Sequence, residues 1–238
     1  MDLNFKKLVS PSLKSLFVGE MSDMIISGRL KAGDRLPPER ELCGKMGVSR
    51  AVVNGGIKEL ARCGFLEVVP RKGVFVADFR RYGTMDTLEY ILEYNEGKFD
   101  AEMLDSLYEV RSCIERHIAA LAAQRRTDED IAELRACVDA VSTADDIASL
   151  GEAVHEFYHT LALASKNLIY PLNIQAYRPV YVSLTGALVE QLSREERAEK
   201  LNELVDHIER RDSEAADACI VRICEWGQSK SSLLTKND

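Results

Sequence analysis

The fold is decided by Gly28-Arg29-Leu30-Lys31-Ala32-Gly33-Asp34-Arg35-Leu36-Pro37-Pro38-Glu39-Arg40-Glu41-Leu42, followed after four residues by Gly47-Val48-Ser49-Arg50. Gly28 ends the run PSLKSLFVGEMSDMIIS over 11–27, in which Leu13, Leu16, Phe17, Met21, Met24 and Ile25 recur at the three- and four-residue spacing of an amphipathic helix. Pro38 is tolerated at the start of a second helix, PERELCGKM, because the N–H it lacks would have had no partner there. Gly47 closes that helix. Ser49 is placed to cap a third, SRAVVNGGIKELARC, by accepting from the free N–H groups of its first turn. Two short helices joined by a tight glycine-containing turn make a helix-turn-helix.

Beyond Gly64 the period changes. FLEVV and GVFVA are β-prone runs separated by Pro70-Arg71-Lys72, a hairpin with two positive charges at its tip. From Thr84 onward the patterns are helical, over 85–95, 100–125, 127–141, 145–164, 168–192, 194–210 and 212–230, with Asp, Ser, Thr or Asn at the breaks. The sequence thus predicts a mainly α protein. An N-terminal winged helix-turn-helix with a small β-hairpin wing occupies residues 1–80, and a C-terminal all-α helical bundle, to which the family resemblance described below assigns effector binding and dimerisation, occupies 81–238.

The composition suits that division. The 238 residues are 46% hydrophobic and 29% charged, enough for a real core, and the net charge of −8 alone argues against nucleic acid as a partner. Taken by region, residues 1–80 carry 14 Lys and Arg against 9 Asp and Glu, while 81–238 carry 17 against 30. The basic end is the expected DNA reader, and the acidic body is kept off the phosphates. No stretch reaches 18 uncharged apolar residues, and the N-terminus lacks an apolar signal core, so the expectation is a cytoplasmic protein with no membrane partner. Cys43, Cys63, Cys113, Cys137, Cys219 and Cys224 show neither CxxC nor zinc-ribbon spacing and are read as reduced thiols.

The G-x-L-x-x-G-D-x-L-P-x-E-R-E-L run and the VSR tripeptide closely resemble the GntR family of bacterial transcription regulators. Asp105-Ser106-Leu107-Tyr108-Glu109-Val110-Arg111 and His155-Glu156-Phe157-Tyr158-His159, with Ala164-Ser165-Lys166-Asn167 after it, resemble the FadR subfamily, also called the FCD type. The resemblance implies a ligand-responsive regulator, a repressor, that binds a pseudopalindromic double-stranded operator as a homodimer and carries no enzymatic activity. It implies operator contacts by Arg40 and Arg50, whose forked guanidinium groups suit guanine O6 and N7. Ser49, Ala51 and Asn54 join them on the recognition helix, with Arg71 and Lys72 at the wing tip. Arg35, before the second helix, is read equally as structural or DNA-facing. The chain departs from the family pattern at Asn54, where an Arg is usual, and at Gly55-Gly56, which interrupt the recognition helix.

For the helical body the resemblance implies a small acidic metabolite, or alternatively an acyl-CoA, as effector. Arg111 is placed to meet a ligand carboxylate, or else to pair with Glu115 four residues on. Tyr177 and Tyr181 are pocket candidates. His155 and His159 share a helix face and are weak candidates for a divalent metal, but the positions of two further family histidines fall near Leu201 and Ile223. The expectation is therefore no metal and no other cofactor. The contrasting reading, a helical hydrolase with His155 or His159 as base, lacks a paired Ser or Cys nucleophile and a phosphate-cradling loop.

Overall fold

The computed structural model describes residues 11–95 and 101–230. The extreme N-terminus and the first residue of the helix expected from 100 lie outside the described residues. The described chain is mainly helical, with one two-stranded antiparallel sheet, and divides into two compact units after Tyr94.

In the first unit α1 (Leu13–Ile26), α2 (Glu39–Met46) and α3 (Arg50–Arg62) precede β1 (Leu66–Val69) and β2 (Gly73–Val76). Ser12 caps α1 and Ser49 caps α3, each hydroxyl accepting the N–H three residues on, while Gly47 ends α2 in the left-handed conformation at φ 64°. The wing pairs Leu66 with Val76 and Val69 with Gly73. On the other edge of β2, the Leu36 N–H donates to the Val74 carbonyl and the Val76 N–H to the Asp34 carbonyl, so the DRL segment of the signature anchors the wing.

The unit runs past the expected boundary at residue 80. Phe65 meets Phe79 of α4 (Phe79–Tyr82) and Tyr90 of α5 (Met85–Tyr94) at ring distances of 5.5 and 5.8 Å, and Thr87 Oγ1 donates to the Cys63 carbonyl at 2.8 Å. These two helices complete the core of the winged domain, whose centre is Phe17, Val53, Leu60, Cys63 and Phe65.

The second unit comprises α6 (Ala101–Arg125), α7 (Asp128–Thr143), α8 (Ile147–Ala164), α9 (Tyr170–Ala176), α10 (Arg178–Val180), α11 (Gly186–Val189), α12 (Arg194–Glu209) and α13 (Ser213–Ser229). Capping boxes at Thr127, Asp146 and Ser193 start α7, α8 and α12 where the sequence places breaks. The helix expected over 168–192 is instead fragmented. Pro171 and Pro179 each lie in the first turn of a short helix, and Tyr181–Thr185 form a π-helical turn. That turn lies hard against α8: a Cβ on Gly151 would come within 2.4 Å of the Val182 carbonyl oxygen. The core between α6, α7, α8, α12 and α13 is built from residues such as Leu134, Phe157, Leu161, Leu204, Val205 and Ile220.

The paired glycines of α3 have separate explanations. A Cβ on Gly56 would stand 2.2 Å from Cδ1 of the buried Phe17, so this glycine permits close packing of α3 on α1, whereas at Gly55 the nearest atom, Lys14 Cδ, lies at an ordinary 3.6 Å. Gly56→Ala is therefore expected to destabilise the protein by about 1–3 kcal/mol through overpacking, and Gly55→Ala to stabilise it by up to about 1 kcal/mol through helix propensity. Urea unfolding of both variants checks the opposite signs.

Candidate nucleic-acid interface and effector cavity

The exposed face of the helix-turn-helix is built around one carboxylate. Glu39, at the first position of α2, accepts from Arg50 Nε at 3.0 Å through Oε2 and from Asn54 Nδ2 at 3.2 Å through Oε1. Arg50 and Asn54 are one turn apart on α3, so Glu39 fixes the direction of two side chains that share a helix face. The Arg50 side chain is still 81% exposed, and Arg40 and Ala51 are exposed as well. Ser49 Oγ accepts from the Val52 N–H at 3.3 Å and is committed to the helix cap.

At the wing tip Arg71 has φ 65°, which turns the hairpin so that it and Lys72 both stand in solvent. Arg35 lies elsewhere on the wing. Its backbone bridges to Phe75 and its guanidinium lies across Gly73, where a Cβ would meet Nε at 3.0 Å. The structure thus brings Arg50, Ala51 and Asn54 onto one face of α3, sets Arg71 and Lys72 on the hairpin tip and gives Arg35 a wing-packing position. Sequence reasoning missed Glu39 as an organiser, because its partners lie 11 and 15 residues away across a turn whose geometry sets the contact.

In the helical unit, Arg111 of α6 is buried and donates through Nε to Glu115 Oε1 at 2.7 Å and through Nη1 to Thr185 Oγ1 of the π-helical turn at 3.2 Å. Tyr181 Oη donates to the same Glu115 oxygen at 2.6 Å. The guanidinium lies 4.6 Å from the Tyr181 ring centroid and 5.6 Å from that of Tyr158. Burial opposes its charge, but Glu115 and then the two tyrosines hold its pKa well above the ordinary value. Burial also pushes the Tyr108 phenol and the Cys224 thiol up to about 12, leaving both neutral. Of the two partners open to Arg111 in the sequence, the structure places Glu115 against it.

Arg111 lines two cavities. A narrow one of about 50 Å³ is bounded by Val141, Val154, Leu188, Leu201, Ile223 and Trp226, together with Arg197 and Lys200. A smaller one of about 10 Å³ includes Tyr177, Tyr181 and Glu115. His155 and His159 line neither; their rings stack at 5.9 Å, and His155 also faces Tyr181 at 5.9 Å. The positions the resemblance assigns to further histidines, Leu201 and Ile223, form apolar wall of the larger cavity. Among the described residues no three His, Cys, Asp or Glu side chains are grouped to hold a metal. Sequence reasoning also missed Thr185, Lys200 and Trp226, for which no local motif gives a signal.

Residues 18–76 match the model of the bacterial regulatory proteins of the gntR family, and residues 106–225 match the FCD domain. A helix-turn-helix-type transcriptional regulator of Mycobacterium tuberculosis is 30% identical over 171 residues, covering 70% of this chain and 69% of that one. The galactonate operon transcriptional repressor of Escherichia coli is 25% identical, covering 83% and 87%. In fold, the chain is similar to the solved structure of Lar, which controls expression of the Listeria monocytogenes agr system, with a TM-score of 0.67 and 19% identity over 95% of this chain and 100% of that one. The chain belongs to the GntR family and carries an FCD domain. It is a transcription regulator and not an enzyme. No helix among the described residues is long and apolar enough to cross a membrane.

Two stability effects follow from the buried polar groups. Glu115→Gln leaves the Arg111 charge without its counter-ion and is expected to cost about 3 kcal/mol, far more than Arg116→Ala at the exposed Arg116–Asp217 pair, as urea titrations will measure. Burial, then His159 and Arg178, push the His155 imidazole below its usual range, so it is neutral in the fold while the unfolded chain takes up a proton near pH 6.5. Its stabilising contribution is thus present above about pH 6.5 and is lost as pH falls below that value. The buried Nε2 also has no hydrogen-bond partner. His155→Leu should therefore reduce the drop in the urea midpoint between pH 7.5 and 5.5.

Proposed function

We propose that this regulator binds a pseudopalindromic operator as a homodimer and represses transcription, and that a small organic acid entering the helical unit changes its operator affinity. The observation that carries the operator reading is the exposed α3 face, where Arg50 and Asn54 are held in fixed directions by Glu39. A recognition helix lies in the major groove with its N-terminal residues at base edges; a forked guanidinium suits guanine and an amide suits adenine. Arg40 on α2 and the wing-tip pair Arg71 and Lys72 supply positive charge for phosphates or a groove. Two copies are needed because one short recognition helix reads few bases, and two-fold pairing places half-sites about 10 bp apart.

The FCD match and the partly enclosed cavity beside Arg111 support the effector part. Effector action needs a difference in affinity between DNA-competent and DNA-incompetent arrangements of the dimer, and a ligand favouring one of them shifts the population. The fragmented segment from Tyr170 to Val189 borders the cavity and is the element that a ligand can repack at least cost.

Selection of duplexes from a randomised pool should return a pseudopalindrome. Against the selected duplex, Arg50→Ala is expected to weaken binding about 10- to 100-fold, the equivalent of about 1–3 kcal/mol of base discrimination, with wild-type folding by circular dichroism. Arg40→Ala should weaken binding to all sequences alike and flatten the salt dependence. Unaltered mobility shifts by both variants would overturn the assignment of this face.

A further inference from the structure

The larger of the two cavities that Arg111 lines has three cationic residues on its wall, and their circumstances differ. Arg111 is already neutralised by Glu115, whose Oε1 also accepts from Tyr181. Arg197 donates to the carbonyls of Val189, Leu192, Ala144 and Glu190, closing the end of α11 and the turn beyond it. Lys200 makes no ion pair among the described residues. Its ammonium lies 5.2 Å from the ring centroid of Trp226, and both side chains are only partly buried, which sets them at the solvent side of the cavity.

This distribution fixes where an acid group can go. A carboxylate placed on Arg111 would add a second negative charge beside Glu115 in a dry site and leave the cluster with an uncompensated buried charge. A carboxylate placed on Lys200 meets a cation that makes no ion pair among the described residues, although Glu196 one turn earlier lies within its electrostatic reach, and keeps contact with water. Between the two ends the wall is aliphatic and aromatic, with Val141, Val154, Leu188, Leu201 and Ile223. A polyhydroxylated acid would bury hydroxyls against that wall without partners. About 50 Å³ of free space, room for about three waters at ~15 Å³ each, sets a compact body.

Resting on the reading of this domain as an effector sensor, we infer that the effector is a compact apolar monocarboxylate, with its acid group on Lys200 at the Trp226 side and its hydrocarbon body directed toward the Arg111–Glu115 pair. The Arg111–Glu115 ion pair, neutral as a whole, then forms the polar floor of the cavity.

The chain contains one tryptophan, and it lies on this wall, so intrinsic emission of the full-length protein reports occupancy directly. The probes are butanoate, hexanoate and octanoate, with hexanamide as the uncharged match and gluconate as the hydroxylated acid; calorimetry on the same samples confirms each constant. The straight-chain acids are expected to give saturable changes with a chain-length optimum, and hexanamide and gluconate to bind at least tenfold more weakly than hexanoate. Lys200→Met should weaken hexanoate at least tenfold and abolish its advantage over hexanamide, while Lys200→Arg should keep the affinity within about threefold. Gluconate binding as well as hexanoate, or hexanoate affinity unchanged in Lys200→Met, overturns the inference. A mobility shift on the selected operator with and without hexanoate separates the two readings. Saturable binding that leaves operator affinity unchanged removes the regulatory role and keeps the cavity assignment, gluconate binding that alters operator affinity does the reverse, and binding by no probe removes both.

Discussion

The helical unit depends on the ion pair between Arg111 and Glu115. Both side chains are buried, and on α6 they are one turn apart, so the pair forms within one helix and still ties down three other elements. Thr185 and Tyr181 of the π-helical turn bond to it, Tyr158 of α8 stacks a ring over the guanidinium, and Cys224 of α13 lies 4.0 Å from the second Glu115 oxygen. A buried charge pair is worth little as a net contribution to stability, because desolvation offsets most of the attraction. Its effect is to set register: the π-helical turn can satisfy both partners in one position only, and Gly151 removes the Cβ that would keep that turn away from α8.

The winged unit is held differently, by close contact of apolar surfaces. Gly56 lets the Phe17 ring sit against the α3 backbone, and Phe65, Phe79 and Tyr90 close the opposite side. With its core provided for in this way, α3 turns outward the face that carries Arg50 and Ala51. Arg50, Ala51 and Asn54 have no part in holding the domain together beyond the Glu39 contact.

Much of this was legible in the sequence, and the limits have physical causes. The helix-turn-helix and wing were readable because capping serines, the left-handed Gly47 and the β-prone strand runs act over a few residues. The helix starts of the body were readable for the same reason at Thr127, Ser193 and Asp212, while the start expected at 145 falls at Ile147 with Asp146 as its cap. The fragmentation after Tyr170 was only half legible: the prolines announce a break, but the π-helical turn follows from the approach of Val182 to Gly151, a contact 31 positions apart in the chain. The boundary after Tyr94 was missed because α5 looks like any amphipathic helix until Thr87, Asp86 and Tyr90 are seen against the first unit. In the candidate sites the arginines were visible as charges, but their counter-ions were not. Local spacing offered Glu115 to Arg111 as one of two partners and gave no hint that Glu39 would serve Arg50 and Asn54 together.

Where Arg50 and Asn54 read bases as proposed, the position of Glu39 has a consequence for how such a protein travels on DNA. A carboxylate fixed between the two reading side chains repels phosphate and screens the Arg50 charge, so it weakens the attraction to any backbone that happens to pass. A base edge offering its own acceptors to the arginine and the amide can take over the bonds that Glu39 provides. The face is thus poorly adhesive and selectively exchangeable, which shortens dwell on unrelated sequence and leaves more of the search time for the few places where the exchange is favourable.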